Sequence, residues 1–194
     1  MIQSVCVYCA SSNRSPAVYL DSAAQVGRTL AQNGITVVYG GSSLGSMGRL
    51  ATAALEAGGK VIGVLPRFMD ELEWGNRNLT ELRIVEDMHE RKRTMLELAD
   101  AVIALPGGCG TLEELFEAIA WKRLGLFFGP VVLVNVNSFF DPCIDLLGRC
   151  VSEQFMDERH RSMWSVAQGP EDLLAVLASS SEWSREARKF AALR

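Results

Sequence analysis

AVIALPGGCGTLEELFEAIAWKRL (101–124) opens as an apolar run, breaks at a proline and three glycines, and resumes with apolar residues at helical spacing. A strand that enters a glycine turn and leaves as a helix is half of a parallel α/β unit. The same pattern recurs along the chain. Strands are expected over 4–9 (SVCVYC), 35–40 (ITVVYG), 60–66 (KVIGVLP), 82–86 (LRIVE), 101–107 and 130–136 (PVVLVNV). Helices are expected over 18–33, 48–57, 88–99, 111–124, 141–155 and 170–178. The strands are continuous apolar runs, as required when helices cover both sheet faces. The fold class is therefore α/β: a Rossmann-like, doubly wound parallel sheet with right-handed crossovers. Ligands of such sheets sit at the carboxyl ends of the strands, where the strand order reverses. The segment 67–81 has no clear period and reads as a loop able to cover that site.

The chain has 194 residues, 48% hydrophobic and 22% charged, with a net charge of −4. That length suits one domain, expected over 1–180, with 181–194 as a peripheral C-terminal helix. The acidic balance gives no general attraction to nucleic acid or to an anionic membrane. No basic stretch precedes an apolar one at the N-terminus, and LFFGPVVLV (126–134) is far too short to span a bilayer. A cytoplasmic location is expected.

The five cysteines and two histidines form no metal set. Cys6 and Cys9 lie on one strand at odd spacing, so they point to opposite faces and read as small buried residues. Cys109 sits inside the glycine turn without a His–Asx pair to activate it, and reads as a bystander.

Two glycine turns follow strands: YGGSSLGSMG (39–48) and PGGCGT (106–111). Neither has the lysine of a nucleoside-triphosphate loop. Two such turns at one sheet edge suit a mononucleotide, with backbone N–H groups and a helix N-terminus on the phosphate. Thr111 and Glu114 also fit a capping box, Thr111 as N-cap and Glu114 reaching back to it. In MHERKRTMLEL (88–98), Met88, Arg91, Met95 and Leu98 share one helical stripe. Arg91 thus lies on the apolar side and needs an anion, which Glu114 or a bound phosphate could supply.

MHERK followed by LPGGCGTLEEL resembles the LOG ("Lonely guy") family of cytokinin riboside 5′-monophosphate phosphoribohydrolases, formerly labelled lysine decarboxylases. The likeness extends through CVYCASS, VYGGSSLGSMG, VIGVLP and PVVLVNV, over residues 3–178. It implies hydrolysis of the N-glycosidic bond of adenine-type nucleoside 5′-monophosphates, AMP included, to free base and ribose 5-phosphate. No cofactor or metal is implied. Carried over by motif, Arg91 and Glu114 are the catalytic pair. Gly108, Gly110 and Thr111 take the phosphate, and Glu73, Lys92, Gly107, Glu113, Gly41, Ser42 and Met88 contact the substrate. The alternative on the same fold is a non-catalytic nucleotide carrier. The chain departs from the family pattern at Ser42, at Ala10, at Ala120 and at Arg123. These changes are expected around the ligand, where they bear on base preference.

The resemblance also implies a homodimer or a larger even oligomer. Leu112, Leu115, Phe116, Ile119 and Leu124 spread around more than one face of the 111–124 helix, so part of it is expected to meet another subunit. The competing reading covers that face with the segment around Trp164 and Trp183.

Overall fold

The computed structural model describes residues 2–72, 74–180 and 183–191. They form one sheet of β1 (Ser4–Tyr8), β2 (Thr36–Tyr39), β3 (Val61–Pro66), β4 (Glu81–Val85), β5 (Ala101–Ala104), β6 (Val131–Val134) and β7 (Ser165–Ala167). The spatial order is β4-β3-β2-β1-β5-β6-β7, and every neighbouring pair is parallel. The chain builds outward from β1 to β4, returns to pair β5 with β1, and then builds outward on the other side. That reversal between β1 and β5 opens a crevice at their carboxyl ends. Helices α1 (Ala17–Gln32), α2 (Gly45–Glu56), α3 (Arg67–Glu71), α4 (Met88–Glu97), α5 (Cys109–Arg123), α6 (Asp141–Ser152) and α7 (Leu173–Ser179) complete the architecture.

Alternation along β1 divides the core into two layers. Val5 and Val7 pack with Val26 and Leu30 of α1, Leu50 of α2 and Leu177 of α7. Cys6 and Tyr8 pack with Met95 of α4, Leu115 and Ala118 of α5, and Leu147 of α6. Cys6 and Cys9 are both buried free thiols, one in each layer. Burying each large aliphatic side chain of these layers is worth about 1.5–3 kcal/mol. Helices α1 and α2 approach closely because Gly27 has no side chain: a Cβ there would lie 2.2 Å from the Leu50 carbonyl oxygen.

The structure differs from the sequence reading in four places. Strand β5 ends at Ala104 rather than at residue 107, where its partner β1 ends, and the Leu105 N–H still bonds the Tyr8 carbonyl at 2.9 Å. The seventh strand, β7, was not expected; three residues at a sheet edge carry too short a pattern to read. The segment expected as a loop over 67–81 contains α3, and Ser42 bridges Gly75 across it. The described part of the C-terminal segment forms a single 3₁₀ turn, Ala187–Lys189, instead of a peripheral helix.

That segment is packed, not peripheral. Trp183 and Ala187 are buried, and the backbone N–H of Trp183 donates to the Phe128 carbonyl at 2.9 Å. Arg123 Nε donates to the Ala191 carbonyl at 2.8 Å, and Arg188 reaches the carbonyls of Leu124 and Gly125. Lys122, buried beneath, donates to the Gly129 carbonyl at 2.9 Å and lies 5.9 Å from the Trp183 ring. Burial pulls its ammonium down to about 8. Among the described residues no helix is long and apolar enough to cross a membrane.

Because Trp183 seals the far end of α5, Trp183→Ala should destabilise the protein by about 3–5 kcal/mol, the cost of deleting a buried large aromatic. Urea unfolding measures it. A loss within about 0.5 kcal/mol, the size of a surface substitution, would mean that the segment is not packed in solution.

Candidate active site

The carboxyl ends of β1, β2, β3 and β5 surround a cavity of about 400 Å³. One wall is the start of α5. Gly108 is its N-cap in an extended conformation, with no side chain capping the helix. The first N–H groups of a helix have no intrahelical partner, and Gly108, Cys109, Gly110 and Thr111 all line the cavity. Thr111 is the third helical residue and not the N-cap, which removes the capping-box reading. Its side chain makes no hydrogen bond among the described residues, although the residue is only 4% exposed. It lies directly against Gly107, where a Cβ would fall 2.2 Å from Oγ1. Gly107 thus shapes the turn from behind and does not line the cavity.

Arg91 and Glu114 meet at the floor. Asp87 caps α4 by accepting from the N–H groups of His89 and Glu90, both at 2.8 Å, and so fixes Arg91 one turn into the helix. Arg91 Nη1 lies 3.1 Å from Glu114 Oε1, with side chains 7% and 5% exposed. Its Nε donates to the Val64 carbonyl at 3.1 Å and its Nη2 to the Gly40 carbonyl at 3.3 Å. The guanidinium is therefore anchored to the turn just past β2 and to Val64 within β3, and aims one edge at α5. Gly40 leaves room for it: a Cβ would lie 2.0 Å from Nη2. Burial pushes the Glu114 carboxyl above its ordinary range; Arg91 opposes that shift and neighbouring Glu113 adds to it.

The remaining walls are unlike each other. Cys9, Ala10, Ser11 and Ser12 supply the β1 side, while Leu65, Met69, Trp74 and Met88 give an apolar face opposite. Ser42 closes the rim. Its neighbour Gly41 takes φ +80 and accepts from the Asn76 N–H at 2.8 Å, which fastens the 67–76 segment over the turn. The carbonyl of Ser42 accepts from the Tyr39 hydroxyl at 3.1 Å.

Of the expected site residues, Arg91, Glu114, Gly108, Gly110, Thr111, Glu113, Ser42 and Met88 come together on the cavity. Gly41 and Gly107 stand behind its wall. Lys92 turns away and pairs with Glu113 and Glu117. Glu73 lies outside the described residues. Sequence reasoning missed Leu65, Met69, Trp74, Met47 and Ser12. Apolar residues at strand ends carry no pattern that separates a cavity wall from a core. Among the described residues no group of three or more His, Cys, Asp or Glu is arranged to hold a metal.

A family model described as "possible lysine decarboxylase" matches residues 47–177. The cytokinin riboside 5′-monophosphate phosphoribohydrolase LOG of Oryza sativa subsp. japonica is 43% identical over 173 residues, spanning 89% of this chain and 72% of that protein. The enzyme of the same name from Rhodococcoides fascians is 41% identical over 178 residues, spanning 91% of this chain and 90% of its own. The chain belongs to the LOG family. As a member it is an enzyme of the hydrolase class. Among solved structures, the molybdenum cofactor carrier protein of Chlamydomonas reinhardtii superposes with a TM-score of 0.71 at 21% identity, over 92% of this chain and 97% of its own. The molybdenum cofactor binding protein of Rippkaea orientalis gives 0.69 at 22%, over 92% and 97%. Those two likenesses establish the fold alone.

The departures from the LOG pattern do not all surround the ligand, contrary to expectation. Ala10 and Ser42 line the cavity. Ala120 faces outward on α5, and Arg123 is engaged with the C-terminal segment.

Gly40→Ala should push the guanidinium off its anchor and strain the floor. An overpacked substitution of this kind costs about 1–3 kcal/mol, read as a lowered thermal midpoint. An unchanged midpoint would mean that Arg91 does not lie over Gly40.

Proposed function

We propose that this chain hydrolyses the N-glycosidic bond of adenine-type nucleoside 5′-monophosphates, releasing the base and ribose 5-phosphate. Cytokinin riboside 5′-monophosphates and AMP are both proposed substrates. The observation that carries the reading is the first turn of α5. Open backbone donors at Gly108–Thr111 and the carboxylate of Glu114 face one cavity from the same helix. Three residues of helix rise separate them, about 4.5 Å. A ribose phosphate fits that interval with its phosphate at the donors and its sugar toward Glu114.

In this reading the phosphate binds where the helix dipole and unpaired N–H groups favour an anion, with the free Thr111 hydroxyl as a further donor. The flat base lies on the apolar face of Leu65, Met69, Trp74 and Met88. As the bond from the anomeric carbon to the ring nitrogen breaks, positive charge grows on the sugar. Glu114 stabilises that charge and orients the attacking water. The water adds its oxygen to the anomeric carbon and gives up one proton, and the base departs with the bonding pair and a proton on its ring nitrogen, the net transfer being from water to base. Arg91 holds Glu114 in place, so that the carboxylate does not swing toward solvent or toward the phosphate.

The supporting measurement is release of free adenine from AMP and of free base from isopentenyl-AMP. Glu114→Gln is nearly isosteric and should lower kcat/KM by a factor on the order of 10² or more, the usual loss for a removed transition-state electrostatic group. Near wild-type release by a variant shown folded by circular dichroism would reject the mechanism. Tight binding of AMP by the wild-type chain without any release of base would instead support a nucleotide carrier.

We also propose that the active form is a homodimer or a larger even oligomer. Leu115, Ala118 and Ile119 of α5 face the sheet, and the described part of the C-terminal segment seals the far end of the helix. Leu112, Phe116, Ala120 and Leu124 recur every fourth residue, with Phe116 37% and Leu124 49% exposed. This outward stripe starts beside Thr111 and suits an isologous contact with a second copy. Light scattering should give twice the 21.2 kDa chain mass or a larger even multiple. A fully active species at the single-chain mass would refute it.

A further inference from the structure

Helices α4 and α5 are joined by three ion pairs, Arg91–Glu114, Lys92–Glu113 and Lys92–Glu117, and the proposed mechanism uses only the first. The residue after Arg91 is Lys92, and the residue before Glu114 is Glu113. The Lys92 side chain is 8% exposed; its ammonium bonds Glu113 Oε1 and lies 3.2 Å from Glu117 Oε2. Burial opposes the ammonium's charge, but the hydrogen bonds and charges of the two glutamates outweigh it and hold Lys92 above its ordinary value. The ammonium is thus directed at the glutamates of α5, and Lys92 does not line the cavity, although its partner Glu113 does.

We infer that Lys92, held between Glu113 and Glu117, is a positioning residue that fixes the charge balance and orientation of Glu114 across the α4–α5 contact, and is not a ligand of the substrate. The inference rests on Glu114 being the reacting carboxylate. Three carboxylates (Glu113, Glu114 and Glu117) crowd one and a half turns of α5. Arg91 and Lys92 are the cations set against them. Cys6 and Tyr8 of β1, and Cys9 just past it, are electrostatically coupled to the same carboxylate; burial pushes all three upward, so they stay neutral and compensate nothing. Lys92 draws the Glu114 carboxyl down, whereas Glu113 and Glu117 draw it up. Without Lys92, Glu114 would face two uncompensated like charges at short range.

The sign of the effect follows. Glu114 works as the anion, so kcat/KM falls on the acid side as it protonates. Lys92→Met removes the compensating charge and should move that acid limb to higher pH, with the rate recovering at alkaline pH and KM for AMP little changed. Glu117→Gln removes an opposing charge and should move the limb to lower pH. Lys92→Arg should restore the wild-type limb.

The experiment is the pH profile of kcat/KM for AMP, measured on the full-length wild type and these three variants. Opposite displacements for Lys92→Met and Glu117→Gln establish the inference. If Lys92→Met fails to fold, Lys92→Gln is measured in its place and must show the same displacement. Unmoved acid limbs overturn it, and so does a raised KM in Lys92→Met at an unmoved limb, which would make Lys92 a phosphate ligand. Those results leave the hydrolase reading intact, because that reading falls only if the wild type releases no base or Glu114→Gln retains its rate.

Discussion

A guanidinium and a carboxylate held together out of water constrain the whole carboxyl edge of this sheet. Arg91 and Glu114 are each almost fully buried, and either one alone would be a severe liability. Removing one partner of such a pair typically costs about 3–5 kcal/mol, because the other charge is stranded. The pair persists because the guanidinium is bonded further: the carbonyls of Gly40, just past the end of β2, and of Val64, within β3, accept from its Nη2 and Nε. The strand ends, the bare backbone at Gly40 and the cap at Asp87 are thus parts of one arrangement. Each must be in place for the charge to be tolerated.

The topology supplies that arrangement cheaply. In a parallel sheet every strand ends on the same edge, so β1, β2, β3 and β5 deliver their following turns to one place. The reversal of order between β1 and β5 separates the helices above them and leaves a crevice. Helix α5 then enters with its N-terminus toward the crevice, which favours an anion there, while Glu114 on the next turn is restrained by Arg91. An anion and a carboxylate can share one cavity because the carboxylate is already paired before the anion arrives. The crowded glycines between Pro106 and Thr111 serve this closeness: Gly107 makes room for Thr111, and Gly108 takes the extended N-cap conformation.

The sequence carried most of this in its periodicity. Six strands and the major helices stand out as apolar runs broken by glycine, and Arg91 on an apolar stripe announces a buried charge in search of an anion. Its partner was legible too, since Glu114 follows the other glycine turn. The capping box was legible and wrong: T-x-x-E has the right spacing, but the helix begins two residues before Thr111, at Cys109. Spacing fixes which residues are neighbours on a helix, not where the first turn starts. The direction of Lys92 was hidden for a related reason. Its partners lie on a helix that follows a whole strand later, and one step around α4 separates a side chain facing the cavity from one facing α5. The strand β7 and the walls formed by Leu65, Met69 and Trp74 depend on contacts among residues far apart in the chain, which no local pattern encodes.

The departures from the LOG pattern divide along this geometry. Ser42 and Ala10 are on the cavity, and under the proposed function changes of the base or sugar contacts fall to them. Ser42 also joins the 67–76 segment through its bridge to Gly75, and that segment carries Met69 and Trp74. A change at Ser42 can therefore shift the apolar face without touching the ligand. Arg123 acts elsewhere, tying α5 to the C-terminal segment, so its difference from the family bears on helix stability. Ala120 sits on the outward stripe with Phe116 and Leu124. If a second copy covers that stripe, a small residue there permits close approach of the two helices. The first turn of α5, and with it Glu114, would then be braced from outside as well as from the sheet. One helix would carry the anion site, the reacting carboxylate and the subunit contact on three successive faces, and a shift in any one would be felt by the others.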